Sequence, residues 1–290
     1  MATPFDLSAP AVRWLWKKGP LGVPTVHQSF AFDEVHQHLY VLQVTPHGGE
    51  KGDLCLSRLT YEGKLLGHMM LRGFGHGVSM GVQNADDGTV RIWTETDARG
   101  GYGTGVTHFG FKAGTTLTVK DVTVLKPIPG STSNQPSVCM TSKRIAVRHR
   151  MDGEPRYRVW DLDTFLAGNY GDHLTDCAMP APHPDPEVPF QGYALHGDHV
   201  YQLAGSAYDD IDNPPAKRGN AYLSCVDIHT GKLVQRMRTQ AGFSLDYREP
   251  EGVAVRGGAK PWLCMGLASG AVGSRRISVY YKPLAAKKKS

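Results

Sequence analysis

The sequence predicts an all-β fold: a five-bladed β-propeller with four antiparallel strands per blade and a ring closed by the N-terminal strand. Three observations carry this. Five stretches repeat one pattern: a polar residue, a small residue or proline, an alternating apolar strand, a short polar turn and a second apolar strand. They start at Gln28, His76, Gln135, Gln191 and Glu251, and so recur every 48 to 60 residues. No helical pattern of roughly 10–15 residues separates the strands, which argues against a parallel α/β sheet. Four-stranded units at this spacing make a propeller, a fold of about 4 to 8 blades.

The units follow in order. "QSFAFDEVHQHLYVLQV" gives the first hairpin, and "LCLSRLTYEGKLLGHMML", turning at Glu62-Gly63, the second. In the second unit "HGVSMGVQNADDGTVRIWTE" is followed by "GVTHFGFKAGTTLTVKDVTVL", which fills the outer strands. The third opens with "QPSVCMTSKRIAVRHR", and its "YRVWDLDTFLAGNYG" includes a short helical turn. The fourth pairs "QGYALHGDHVYQLAG" with "AYLSCVDIHTGKLVQRMRT", which turns at Thr230-Gly231. The fifth has three strands, ending in "RRISVYYK"; "AVRWLWKK" near the N-terminus supplies the missing outer strand, because an open ring would expose a strand edge. Residues 1–282 then form a single propeller domain, and 283–290 a basic flexible tail.

Composition narrows the function classes. The chain has 290 residues, 40% hydrophobic and 20% charged, with net charge +5. A nucleic-acid binder would carry a dense basic stripe or a recognised motif, so no nucleic-acid partner is expected. No apolar run reaches the roughly 18–20 residues of a membrane span. The N-terminus lacks the basic-then-apolar order of a signal peptide. This suggests a cytoplasmic protein as sequenced, or a secreted one whose signal has been removed. Four of the five cysteines (Cys55, Cys139, Cys225, Cys264) lie in apolar strands and read as small buried hydrophobes; Cys177 lies in a loop. The set requires no disulfide. No metal or cofactor is assigned: amides are weak metal ligands, and "DDIDN" lacks the glycine and terminal glutamate of an EF-hand loop. The oligomeric state is left open.

The turns within hairpins are short, whereas the connections after second strands and into first strands are long. Both long types fall on one face of the disk, where function on a rigid scaffold usually sits. The polar residue opening each inner strand stands at the mouth of the central channel there. Gln28, His76, Gln135, Gln191 and Glu251 form a ring of three amides, an imidazole and a carboxylate, suited to a hydroxyl-rich ligand. The small residue beside each lets five strands crowd the axis. Trp93, Asp97, Arg148, Tyr208, Arg248 and Arg275 surround the ring as further ligand-binding candidates. Two function classes follow. One is a binding module for a cell-wall glycopolymer or similar polyhydroxylated ligand. The other is an enzyme in the same pocket, either a glycan hydrolase or lyase or a biosynthetic enzyme for a small molecule. In that case Glu251, Glu95 and His76 would be the catalytic groups, and Asp97 or Glu249 could pair with them as carboxylates.

"QSFAFDEVHQHLYVLQV", "GDLCLSRL", "GFGHGVSMGV", "IWTETD", "FQGYALHGDHVYQLAG" and "REPEGVAVRGG" together resemble the propeller family of staphylococcal phage receptor-binding proteins and the teichoic acid biosynthesis protein C group. The resemblance covers residues 25 to 282. It implies a five-bladed platform that binds cell-wall teichoic acid. It supplies no catalytic motif.

Overall fold

The computed structural model describes residues 3–284. Five sheets surround one axis. β1 (Val12–Lys18) comes first. Blade 1 holds β2 (His27–Asp33), β3 (His38–Val44), β4 (Leu54–Thr60) and β5 (Leu65–Arg72). Blade 2 holds β6 (Gly81–Asn84), β7 (Val90–Arg99) and β8 (Tyr102–Phe109), and β9 (Thr116–Thr118) follows. Blade 3 is β10 (Thr132–Cys139), β11 (Arg144–Met151), β12 (Glu154–Asp161) and β13 (Thr175–Ala178), with the helical turn α1 (Leu162–Leu166) before β13. Blade 4 is β14 (Phe190–His196), β15 (His199–Ala204), β16 (Tyr222–Asp227) and β17 (Leu233–Arg238). Blade 5 is β18 (Glu249–Arg256), β19 (Trp262–Ser269) and β20 (Arg276–Lys282), completed by β1 in the order β1-β20-β19-β18.

β1 pairs antiparallel with β20, from Val12 opposite Tyr281 to Lys18 opposite Ile277, so the N-terminal strand closes the ring. The segment before it deepens the closure. Phe5 and Leu7 sink between blades 4 and 5 beside Tyr201, Leu203 and Leu267. Burying each such side chain contributes about 1.5–3 kcal/mol.

The core is divided among the seams between blades. Phe30, Phe32 and Val279 fill the seam of blades 5 and 1, and Met69, Phe74 and Ile92 that of blades 1 and 2. Trp93, Trp160 and Phe165 fill the next, and Tyr157, Tyr193 and Val226 the one between blades 3 and 4. This explains the patterning. Inner strands have both faces covered and are buried almost throughout, as β14 is, while the outermost β17 is largely exposed.

Several details depart from the sequence reading. The fourth strand of blade 2 shrinks to one bridge, Val106 to Leu125. β9 pairs in parallel with β5 of blade 1 instead. A 3-10 turn at Val119–Asp121 breaks the strand, closed by a reciprocal capping box between Thr118 and Asp121. Two connections expected to be long are tight hairpins. Gly100 and Gly101 (φ 57° and 82°), and Asp152 and Gly153 (φ 52° and 84°), supply the paired positive φ of such turns. The strands flanking them therefore stay paired up to the turn, Arg99 opposite Tyr102 and Met151 opposite Glu154. Cys177 lies half-buried in β13, not in a loop. Pro283 and Leu284 pair with Asp6 and Phe5, so the start of the expected tail is held; the rest of it, 285–290, lies outside the described residues.

Candidate functional site

The ring positions sit on bulges. In β2 the register shifts between His27 and Ser29, freeing Gln28 from the ladder. β14 shifts between Phe190 and Gly192, at Gln191, and β18 between Pro250 and Val253, at Glu251 and Gly252. β10 shifts just before Gln135. A bulge adds an unpaired residue and re-aims its side chain, which is how strands nearly parallel to the axis direct polar groups to its mouth. Blade 2 differs: His76 precedes β6 and lies in a loop.

Below the ring the small residues close the axis. A Cβ on Gly252 would fall 2.8 Å from Ser29 Cα, and one on Gly192 would fall 2.8 Å from the Val78 carbonyl oxygen. Ser29 Oγ donates to the Gly77 carbonyl at 2.5 Å, and Ser79 Oγ reaches the carbonyls of Pro136 (3.0 Å) and Tyr193 (3.1 Å). Backbone from all five blades meets in this floor.

The structure brings one ring pair together and joins a third ring residue to a surrounding candidate. Gln28 Nε2 donates to Glu251 Oε1 at 3.3 Å, and Arg148 Nη1 donates to Gln135 Oε1 at 2.9 Å. Gln191 Nε2 donates to the Gly205 carbonyl at 2.9 Å, within its own blade. His76 stacks on Tyr102 with ring centroids 5.2 Å apart. Burial, with the like charge of Glu249 nearby, holds the Glu251 carboxyl well above the usual range, while Gln28 pulls it the other way. Burial also raises Glu249, whose Oε2 accepts from Tyr247 Oη at 2.8 Å. The Arg275 guanidinium lies 3.3 Å over the Tyr247 ring.

Tyr247 was not legible as a site residue from its type alone. It and Arg248 are consecutive non-glycine residues at positive φ, 67° and 42°. Such backbone is costly and concentrates at functional sites. The "DYREP" segment entering β18 was the available signal.

Other candidates stand apart from the ring. Trp93 is fully buried in the seam of blades 2 and 3, with Nε1 donating to Gln83 Oε1 at 2.9 Å, so packing closes it to a ligand. Arg248 is likewise enclosed: Nε donates to the Ala241 carbonyl at 2.9 Å and Nη2 to that of Thr239 at 3.0 Å. It clamps the segment leading into blade 5. Tyr208, half-buried, has its ring 5.7 Å from the Arg248 guanidinium and donates Oη to the Phe243 carbonyl at 2.9 Å. Asp97 faces outward in an ion pair with Lys126 at 2.6 Å. Glu95 is a buried anchor. Oε1 accepts the amides of His76 (3.1 Å) and Gly77 (2.7 Å), and Oε2 that of Gly103 (2.6 Å). Burial pushes it up to about 7 although these three N–H groups pull it down.

The opposite end of the axis is built differently. Where the inner strands leave the floor, a cavity of about 300 Å³ opens on the short-turn face, lined by Ala31, Val82, Val138, Leu195, Ala254 and their neighbours. Among the described residues no group of three or more His, Cys, Asp or Glu is placed to hold a metal ion, and no helix is long and apolar enough to cross a membrane.

Comparison with known proteins agrees with this architecture. The model of the phage five-bladed β-propeller receptor-binding platform domain matches residues 26–281. A Bacillus subtilis (strain 168) protein provisionally named major teichoic acid biosynthesis protein C is 27% identical over 282 residues, covering 88% of this chain and 59% of that protein. The tail fiber of Staphylococcus aureus phage P68 superposes with a TM-score of 0.76 at 18% identity, over 98% of this chain and 55% of the fiber. An exo-β-1,3-galactanase from Phanerochaete chrysosporium, solved with β-1,3-galactotriose, gives 0.52 at 11% identity, over 96% of this chain and 67% of the enzyme. The last two likenesses concern the fold. The chain thus spans a little over half the length of its curated relative and of the tail fiber.

Proposed function

Because the chain belongs to the family of phage five-bladed β-propeller receptor-binding platform domains, we propose that it binds a cell-wall glycopolymer of the teichoic-acid class, at the channel mouth on the long-loop face. The observation that carries the reading is the strained entry to β18. Tyr247 and Arg248 take left-handed backbone, and the next residues deliver Glu249 and Glu251 to a mouth that already holds Gln28 and Arg275.

The chemistry suits such a polymer. A raised Glu251 favours the neutral acid, which donates and accepts as the ring amides do, and this matches hydroxyl groups. Half-buried Tyr247 and exposed Tyr102 offer flat faces for sugars or polyols. The planar Arg275 guanidinium matches a phosphate along the chain. The name of the Bacillus subtilis relative, a teichoic acid biosynthesis protein, concerns the same polymer class.

One observation favours a second reading, in which the site cleaves a glycan. The charge of Glu249 lies close enough to raise the proton affinity of Glu251, as in a paired base and acid. Titrating purified wall teichoic acid into the protein separates the two readings. The binding reading expects saturable binding of intact polymer, weakened by roughly 1–3 kcal/mol in Gln28→Ala through loss of a buried partner. Fragmentation of the polymer that stops in Glu251→Gln would favour the enzyme. Polymer that neither binds nor is cut would sink both.

A further inference from the structure

The cavity on the short-turn face contains a pair that the channel mouth does not use. Cys139, at the end of β10, and His196, at the end of β14, both line it and are only 5% and 4% exposed. Cys139 Sγ lies 3.9 Å from His196 Nδ1. No hydrogen bond engages His196 Nε2 among the described residues, although the side chain is almost wholly buried against the cavity. From this geometry we propose that Cys139 is a modification site, a thiol captured by small disulfides entering the axial cavity with His196 as its base.

The other cysteines mark the contrast. Cys55, Cys225 and Cys264 are buried in strands away from the cavity, and burial raises their thiols, the first two to about 11. Cys177 is also raised by burial. Burial likewise pushes Cys139 up, but His196, Ser142 and the Gly197 amide outweigh it and bring the thiol down to about 7. The groups facing it from each neighbouring element fit this. Arg144, its register partner on β11, is tied to Asp198 at 2.8 Å, and His199 of β15 backs His196. On the far wall Glu34 is engaged by the Gly257 amide. No carboxylate lies free beside the sulfur to oppose the thiolate among these groups.

The small disulfide is itself the oxidant, and one of its two sulfurs is reduced as Cys139 is oxidised. His196 Nδ1 takes the thiol proton. The Cys139 sulfur attacks one sulfur of the small disulfide; that S–S bond breaks as the new one forms. The departing thiolate takes the proton from His196 and leaves as a thiol.

Native protein treated with 2-hydroxyethyl disulfide tests this by intact mass and peptide mapping. One adduct is expected, on Cys139, with a rate that rises with pH to a midpoint near 7. Its rate at pH 7 should exceed that of an ordinary thiol, of pKa about 8.5, by roughly threefold, the larger thiolate fraction being partly offset by the lower nucleophilicity of a low-pKa thiolate. His196→Gln should slow it by a similar factor and move the midpoint upward, while Cys139→Ser should abolish the adduct. First modification at Cys177, no adduct, or a wild-type midpoint at the ordinary thiol value would overturn the proposal. If His196→Gln fails to fold, the wild-type pH profile and the mapped site decide alone.

Discussion

The two ends of the propeller axis are made from the same five inner strands, yet they are opposite in character. At their starts, bulges turn Gln28, Gln135, Gln191 and Glu251 toward the mouth, and backbone closes the floor beneath. At their ends the strands diverge around a largely apolar cavity holding one thiol and one imidazole. A regular strand alternates its side chains. A bulge breaks that alternation, so one strand can be polar at one end and apolar at the other. The floor lets the two ends differ, because backbone from all five blades separates them.

The floor is the first place to break this contrast. Gly252→Ala would place a methyl group 2.8 Å from Ser29 Cα at φ 73°. Overpacking and left-handed strain together should cost about 2–5 kcal/mol. Thermal or denaturant unfolding would register this, and an unchanged midpoint would mean that the strands do not crowd at the axis.

Glu95→Gln sharpens the contrast by loosening one end only. The amide NH₂ would face an N–H donor at His76, Gly77 or Gly103, leaving a buried donor unpaired at about 1–3 kcal/mol. Hydrogen exchange should quicken around residues 73–77 and stay unchanged at Cys139 and His196. Equal loosening at both ends would contradict the separation.

A smaller effect concerns pH. Glu251 and Glu95 bind a proton more tightly in the folded protein than in the unfolded chain. Their stabilising contribution is therefore complete below the ordinary carboxylate pKa of about 4.3 and is lost as pH rises, for Glu95 through about 7. Glu251→Gln cannot ionise, so its melting temperature should gain on the wild type between pH 5 and pH 8. The expected gain is roughly 2–4 °C for each kcal/mol released. A variant that loses ground to the wild type as pH rises over this range would mean that Glu251 is stabilised as the anion.

Much of this was legible in the sequence, for a physical reason. The inner strands must be small and apolar to crowd an axis, and this recurs at a visible period. The N-terminal strand was found by counting what blade 5 lacked. The losses came where a short-range signal overrode the period. The Thr118–Asp121 capping box turned a fourth strand into a 3-10 turn, and Gly100-Gly101 and Asp152-Gly153 turned expected loops into hairpins. At the site, residue type alone did not say which way a side chain points. Trp93 and Glu95 are two apart in β7, and both face inward to packing or to backbone amides, not to the mouth. Tyr247 and Glu249 converge on the mouth because left-handed backbone turns the chain there, a feature seen only in coordinates.

The most direct test of the central claim is a crystal structure of the protein with a short polyol-phosphate fragment of wall teichoic acid. The account predicts density at the long-loop mouth, with hydroxyls hydrogen-bonded to Gln28 and Glu251 and a phosphate near Arg275. Density confined to the short-turn cavity beside Cys139, with the mouth empty, would contradict it.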